Sequence, residues 1–226
     1  MKILILLTSH AMLGESGQKT GLWLEELAVP YLVFTRAGAE VELASPLGGP
    51  APIDPKSEKE ASAEVKAFLA DPKAVAKLHA TKKLSTLTGA YDAVFVAGGH
   101  GTMWDLPTSA DVARQLSRTW QDGKVLAAVC HGPAALVGVK DEKGQSVVQG
   151  RRFTAFTNEE EAAVGLTKVV PFLLESKLTE LGGRFEGGPL WASHVVRDGR
   201  LITGQNPASS KGVAEAVLDA VRASKR

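Results

Sequence analysis

The chain has a single cysteine, Cys130, in 226 residues, so no disulfide can form within it and a disulfide-stapled secreted scaffold is excluded. An excess of charge of one sign is missing too. With 26 basic and 25 acidic residues the formal net charge is +1, which leaves no field to gather nucleic acid or an anionic membrane surface. No apolar run approaches the ~18 residues of a membrane span. Metal-binding spacings such as H-x-x-E-H or C-x-x-C do not occur, and the expectation is no metal. Only five apolar residues separate Met1-Lys2 from Thr8-Ser9-His10, too few for the core of a signal peptide, so this start reads as the first strand of a cytoplasmic protein. Internal repeats and low-complexity segments are likewise absent from the sequence.

What is present is 44% hydrophobic residues, enough for one well-buried core, and the reading is a single domain over residues 1–226. Ile3 to Leu7 is a continuous apolar run, as expected of a strand covered on both faces. Val41 to Ala44, Tyr91 to Val96, Lys124 to Val129 and Leu201 to Thr203 read as further strands, and Phe153 to Thr157 as strand or loop. Helices are expected over Leu22 to Phe34, with Pro30 kinking or restarting the first, then over Asp111 to Gln121, Phe172 to Leu181 and Ala208 to Ala223. Glu58 to Leu78 suggests two short helices broken at Asp71-Pro72. Ser45 to Lys56, with four prolines and two glycines, reads as a surface loop whose length suggests a lid or rim. Asn158 suits an N-cap with Glu159, Glu160 and Glu161 in the first turn, a capping role open to all three acids. The pattern is that of an α/β fold with a mostly parallel sheet.

The informative stretch is Val125-Leu126-Ala127-Ala128-Val129-Cys130-His131-Gly132-Pro133-Ala134-Ala135-Leu136. An apolar strand ends at Cys130 and a helix-compatible run starts almost at once, which is the pattern of a nucleophile elbow. Such a turn strains its central residue and demands small neighbours two positions away, here Ala128 and Gly132. Pro133 fits a first helical turn, and the free N–H groups there favour a thiolate over a thiol. Cys130 is the candidate nucleophile; the alternative is a buried core cysteine, which would require none of these features together.

A thiolate nucleophile needs a base, a group to orient the base, and donors for a developing oxyanion. The ring of His131 is the leading base, with a carboxylate to fix its tautomer. Ala97-Gly98-Gly99-His100-Gly101 ends a strand at the same edge of the sheet, so the amides of the Gly98-Gly99 turn can converge with the His131 N–H. His100 lies near that site, His10 follows the first strand, and His79 and His194 read as structural or surface residues.

The whole chain resembles the DJ-1/PfpI superfamily, and within it the Hsp31-like glutathione-independent glyoxalases. The resemblance is carried by Thr20-Gly21-Leu22-Trp23-Leu24-Glu25-Glu26, Ala97-Gly98-Gly99-His100-Gly101-Thr102, Ala127-Ala128-Val129-Cys130-His131-Gly132-Pro133-Ala134, Phe156-Thr157-Asn158-Glu159-Glu160-Glu161 and the segment Asp198 to Pro207. It implies a flavodoxin-like three-layer sandwich, a Cys130, His131, Glu161 triad, and Glu26 as a protonated acid beside the sulfur. The residues alone do not separate Glu26 from Glu25, nor Glu161 from Glu159 and Glu160. The implied activity is conversion of a small 2-oxoaldehyde, methylglyoxal, to D-lactate through a cysteine hemithioacetal and an enediol, with no cofactor, in a cytoplasmic homodimer. Deglycation of early sugar-type adducts is a claimed relative of that chemistry.

Other classes remain open at this point. Hsp31-like proteins are also described as stress-associated holdase chaperones. A glutamine amidotransferase shares the elbow but needs a distant His-x-Glu pair that this chain lacks. A cysteine peptidase is suggested by the PfpI side of the resemblance, and any activated thiolate can serve as a redox sensor.

Overall fold

A computed structural model describes residues 1–59 and 61–224. Its strands are β1 (Lys2–Leu6), β2 (Glu40–Ser45), β3 (Lys82–Lys83), β4 (Ala93–Val96), β5 (Val125–Val129), β6 (Arg152–Phe153), β7 (Arg184–Phe185), β8 (Val195–Asp198) and β9 (Leu201–Gly204). Seven of them form one sheet in the order β3-β2-β1-β4-β5-β9-β8. All its pairings are parallel except that of β8 with β9. The continuous apolar runs are explained by burial of both sheet faces. In β1, β4 and β5 alternate residues enter opposite cores: Ile5, Phe95 and Ala127 on one side, Leu6, Val96 and Ala128 on the other.

Helices Leu24–Arg36, Ala63–Leu69, Pro72–His79 and Ser210–Ala223 cover the first face. Helices Ala110–Gln121 and Leu174–Glu180, with the 3₁₀ segment Gly132–Gly138, cover the second. This is the flavodoxin-like three-layer α/β arrangement.

Several boundaries differ from expectation for local reasons. Helix Leu24–Arg36 runs through Pro30 as one element, with Leu27, Tyr31 and Phe34 packed in the core. The proline removes only the bond that its missing N–H would have given to the Glu26 carbonyl, and packing outweighs that loss. The 58–78 stretch does break at Asp71, whose side chain accepts from Lys73 N at 2.8 Å; Glu60, inside that stretch, lies outside the described residues. The N-cap before helix Asn158–Ala163 is Thr157 rather than Asn158, because Thr157 and Glu160 close a reciprocal capping box. The proline-rich loop is tied down, with Leu22 N donating to Pro52 O at 2.8 Å and Asp54 N to Leu22 O at 2.9 Å.

Chain order reverses at β1, which lies between β2 and β4. The segments leaving the carboxyl ends of β1 and β4 therefore diverge and leave a crevice above the sheet. The turn after β4 and the elbow after β5 open into this crevice.

Candidate active site

Cys130 sits at the end of β5 with φ of 59°, in the left-handed region that a side chain seldom adopts. Its backbone is clamped on both sides: its N–H donates to Gly204 O, and its carbonyl accepts from Phe156 N, each at 2.9 Å. A Cβ on Gly132 would lie 2.4 Å from Val96 O, so the small residue is demanded by how closely the elbow approaches β4. The elbow leads into a seven-residue 3₁₀ segment rather than an α-helix.

That difference bears on the thiol. Cys130 is only 3% exposed, and burial pushes its thiol well above the usual range, with the neighbouring Glu26 adding to the effect and the His131 N–H opposing it. The expectation that a helix start would favour the thiolate is corrected: desolvation outweighs the local N–H groups, and the resting group is a thiol.

His131 is placed to receive its proton. The His131 Nδ1 lies 3.3 Å from Cys130 Sγ, and its Nε2 lies 2.8 Å from Glu161 Oε2. Burial first, then the neighbouring His100, draw the imidazole down to about 4 against the pull of Glu161, so the ring is neutral. With its Nε2–H donated to Glu161, Nδ1 presents a lone pair to sulfur. Both nitrogens thereby have a partner in the resting site.

Glu161 also takes His100, whose Nε2 lies 2.8 Å from Oε1, and the two imidazole centroids are 4.0 Å apart. Burial acts to raise this carboxyl, but hydrogen bonds from His100 and His131 hold it at about 2. His100, His131 and Glu161 form a cluster of ligand-type atoms within 4.8 Å of one another, assembled from three separate segments and so invisible to sequence spacing. The three glutamates that sequence could not separate have different fates. Glu159 is exposed, Glu161 meets the imidazoles, and Glu160 is fully buried as a structural hub. Glu160 Oε1 accepts from Trp191 N at 2.9 Å, Gln205 Nε2 at 3.0 Å and Asn206 Nδ2 at 2.9 Å, while Oε2 accepts from Thr157 N at 3.2 Å. The T-x-x-E spacing is the available signal for part of this role; Gln205 and Asn206 lie in the Asp198 to Pro207 motif, but no spacing ties them or Trp191 to Glu160.

Glu26, from helix Leu24–Arg36, is fully buried beside Cys130. Burial raises its carboxyl to about 8, against hydrogen bonds from Cys130 and the Gly98 N–H. Oε2 accepts from Gly98 N at 2.7 Å, whereas Oε1 is buried with no conventional donor, which suits it to carry the proton toward sulfur. Glu25, its neighbour on the helix, is partly exposed at the pocket wall. The Gly98 N–H is thus spent on Glu26, and its expected oxyanion role is corrected. Gly99 N–H makes no hydrogen bond among the described residues and lies with His100 on the pocket wall.

Cys130, His131, Glu26, Gly99 and His100 line a cavity of about 710 Å³. The other histidines lie elsewhere: His10 stacks on Trp104 at 5.3 Å, His194 Nε2 bonds Glu186 O at 3.1 Å, and His79 ends an outer helix.

Known proteins resemble this chain over nearly its whole length. A glutathione-independent glyoxalase of Schizosaccharomyces pombe is 34% identical, covering 96% of this chain and 94% of its own. The crystal structure of glyoxalase III from Candida albicans superposes with a TM-score of 0.90 at 32% identity, covering 97% of each chain. The 24 kDa Rapid Encystment Protein of Francisella tularensis superposes with a TM-score of 0.93 at 39% identity, over 97% of this chain and 98% of that one. The DJ-1/PfpI family model matches residues 20–220, and the chain belongs to the DJ-1/PfpI family.

Proposed function

We propose that this protein is a glutathione-independent glyoxalase that converts methylglyoxal and water to D-lactate, with Cys130 as nucleophile. The observation that carries the reading is the thiol held between a neutral imidazole and a carboxyl with a raised affinity for its proton. Sulfur bonds to the aldehyde carbon while His131 Nδ1 takes the thiol proton and Glu161 balances the imidazolium. Glu26 gives its proton to the aldehyde oxygen, completing the hemithioacetal, and becomes a carboxylate. The N–H groups of Gly99 and His131 and the ring of His100 are the groups placed to steady the substrate oxygens.

Glu26 then removes the proton from the carbon bonded to sulfur, whose electron pair forms the enediol double bond as His131 protonates the second oxygen. We assign that proton to Glu26 rather than to His131, the leading base in the sequence, because at this step the imidazole already carries the thiol proton and can only donate. Glu26 next protonates the neighbouring carbon, and the hydroxyl on the sulfur-bearing carbon gives its proton to His131, leaving a thioester. Water cleaves it, releasing lactate and restoring the thiol and both proton carriers. One fixed donor protonates one face, as a single enantiomer requires.

No helix among the described residues is long and apolar enough to cross a membrane. The one main seven-stranded sheet supports a single domain, the lone cysteine supports a cytoplasmic setting, and the family resemblance supports a homodimer. The test is turnover of methylglyoxal by purified protein without glutathione, with the enantiomer of lactate assayed. D-lactate from the wild type and none from Cys130→Ser is expected. Undiminished turnover by the variant would overturn the covalent mechanism, and racemic product would overturn protonation by one fixed donor.

A further inference from the structure

The cavity is too large for the substrate just named. A five-heavy-atom aldehyde needs on the order of 150 Å³, taking about 30 Å³ per water-sized group, whereas the space above Cys130 measures about 710 Å³. That falls in the range of sites that enclose much larger organic ligands. Beyond the reacting groups the wall is apolar, built by Leu13, Trp23, Phe156, Val164, Leu166 and Trp191, none of which takes part in the proton transfers.

Trp191 concentrates two unfavourable features at the mouth. Its φ is 61°, a left-handed conformation that strains a residue with a side chain. The residue is also 47% exposed, although apolar contact is near, with the Phe156 ring at 5.8 Å. The strained backbone is held by Glu160, which accepts the Trp191 N–H. A conformation maintained by a buried carboxylate to leave an indole at the cavity wall indicates a ring kept ready for a ligand. The charges at the rim are of both signs, Lys19 and Lys56 against Glu25 and Asp54, so the site has no excess charge to recruit an ionised substituent.

We propose that this vestibule receives the substituent of larger 2-oxoaldehydes, uncharged and aromatic, and that Trp191 determines the preference for them. The proposal rests on the glyoxalase reading for its chemistry. Phenylglyoxal is the probe, and no arginine lines the cavity to be modified by it. Wild-type kcat/KM is expected to be at least tenfold higher for phenylglyoxal than for methylglyoxal. Trp191→Gly, which tolerates the left-handed backbone and keeps the N–H to Glu160, should lower the phenylglyoxal value tenfold or more, mainly through KM, and the methylglyoxal value less than threefold. Trp191→Phe should restore most of the difference. No wild-type preference, or equal losses on both substrates in Trp191→Gly, would overturn the vestibule. Calorimetric binding of mandelate and lactate, the corresponding products, separates this result from failure of the glyoxalase reading. If neither aldehyde is turned over, mandelate binding at least tenfold tighter than lactate and dependent on Trp191 still supports the vestibule; equal binding rejects it.

Discussion

At the scale of single residues, the acids near Cys130 are told apart by what each carboxyl touches. Glu161 lies under two imidazoles, so Glu161→Gln removes the charge that balances His131 and should lower kcat roughly 10²-fold or more. Glu159 is exposed, and Glu159→Gln should change stability by roughly 0.5 kcal/mol and kcat by less than twofold. Steady-state kinetics and thermal melts of the two variants check this pair; equal kinetic losses would mean that the acid partner of His131 is misassigned. Glu26→Gln keeps a donor beside sulfur but cannot exchange a proton. It should therefore leave Cys130 open to iodoacetamide while losing most methylglyoxal turnover, and Glu26→Asp, with its shorter reach, should impair both. Full turnover by Glu26→Gln would reduce Glu26 to a structural residue of its helix.

At the scale of elements, the site depends on how closely the elbow approaches β4. A Cβ at Gly132 would meet the Val96 carbonyl at 2.4 Å, a backbone atom that cannot swing aside. Gly132→Ala should therefore cost roughly 1–3 kcal/mol and displace the Cys130 side chain, read as a fall in melting temperature together with a fall in kcat. A variant that keeps both would show that the elbow has slack. This element was legible in the sequence because its demands are local: an apolar strand, a small residue on either side and a nucleophile between them. The central strands were legible too, since burial on both faces leaves continuous apolar runs such as Ile3 to Leu7. Edge strands escaped notice because their sequences are short and charged, as in Lys82–Lys83 and Val195–Asp198. Long-range partners escaped for a different reason. The bond from Gly98 N to Glu26 spans 72 residues, and only the fold reveals that this amide is already spent.

At the scale of the whole molecule, the buried titratable groups make stability depend on pH from both sides. Glu26 has its carboxyl raised from 4.5 to about 8, so the folded state holds a proton that the unfolded chain has released between those values. Stability from this group is present at low pH and lost as pH rises toward 8. One proton's difference corresponds to a slope of about 1.4 kcal/mol per pH unit. The signs at the other two groups are opposite. Glu161 is lowered to about 2 and His131 to about 4, so the unfolded chain binds the extra protons as pH falls below the ordinary values of 4.5 and 6.5. Their contribution is lost on acidification, that of His131 between about 6.5 and 4 and that of Glu161 between 4.5 and about 2. Glu26→Gln isolates the alkaline side, because it removes one titrating group and leaves the imidazoles in place. Denaturant unfolding measured across pH 5 to 8 should show the variant gaining stability relative to the wild type as pH rises, with the difference approaching the slope of about 1.4 kcal/mol per unit. Parallel curves would mean that Glu26 is ionised in the resting protein, and the proton relay through it would have to be abandoned.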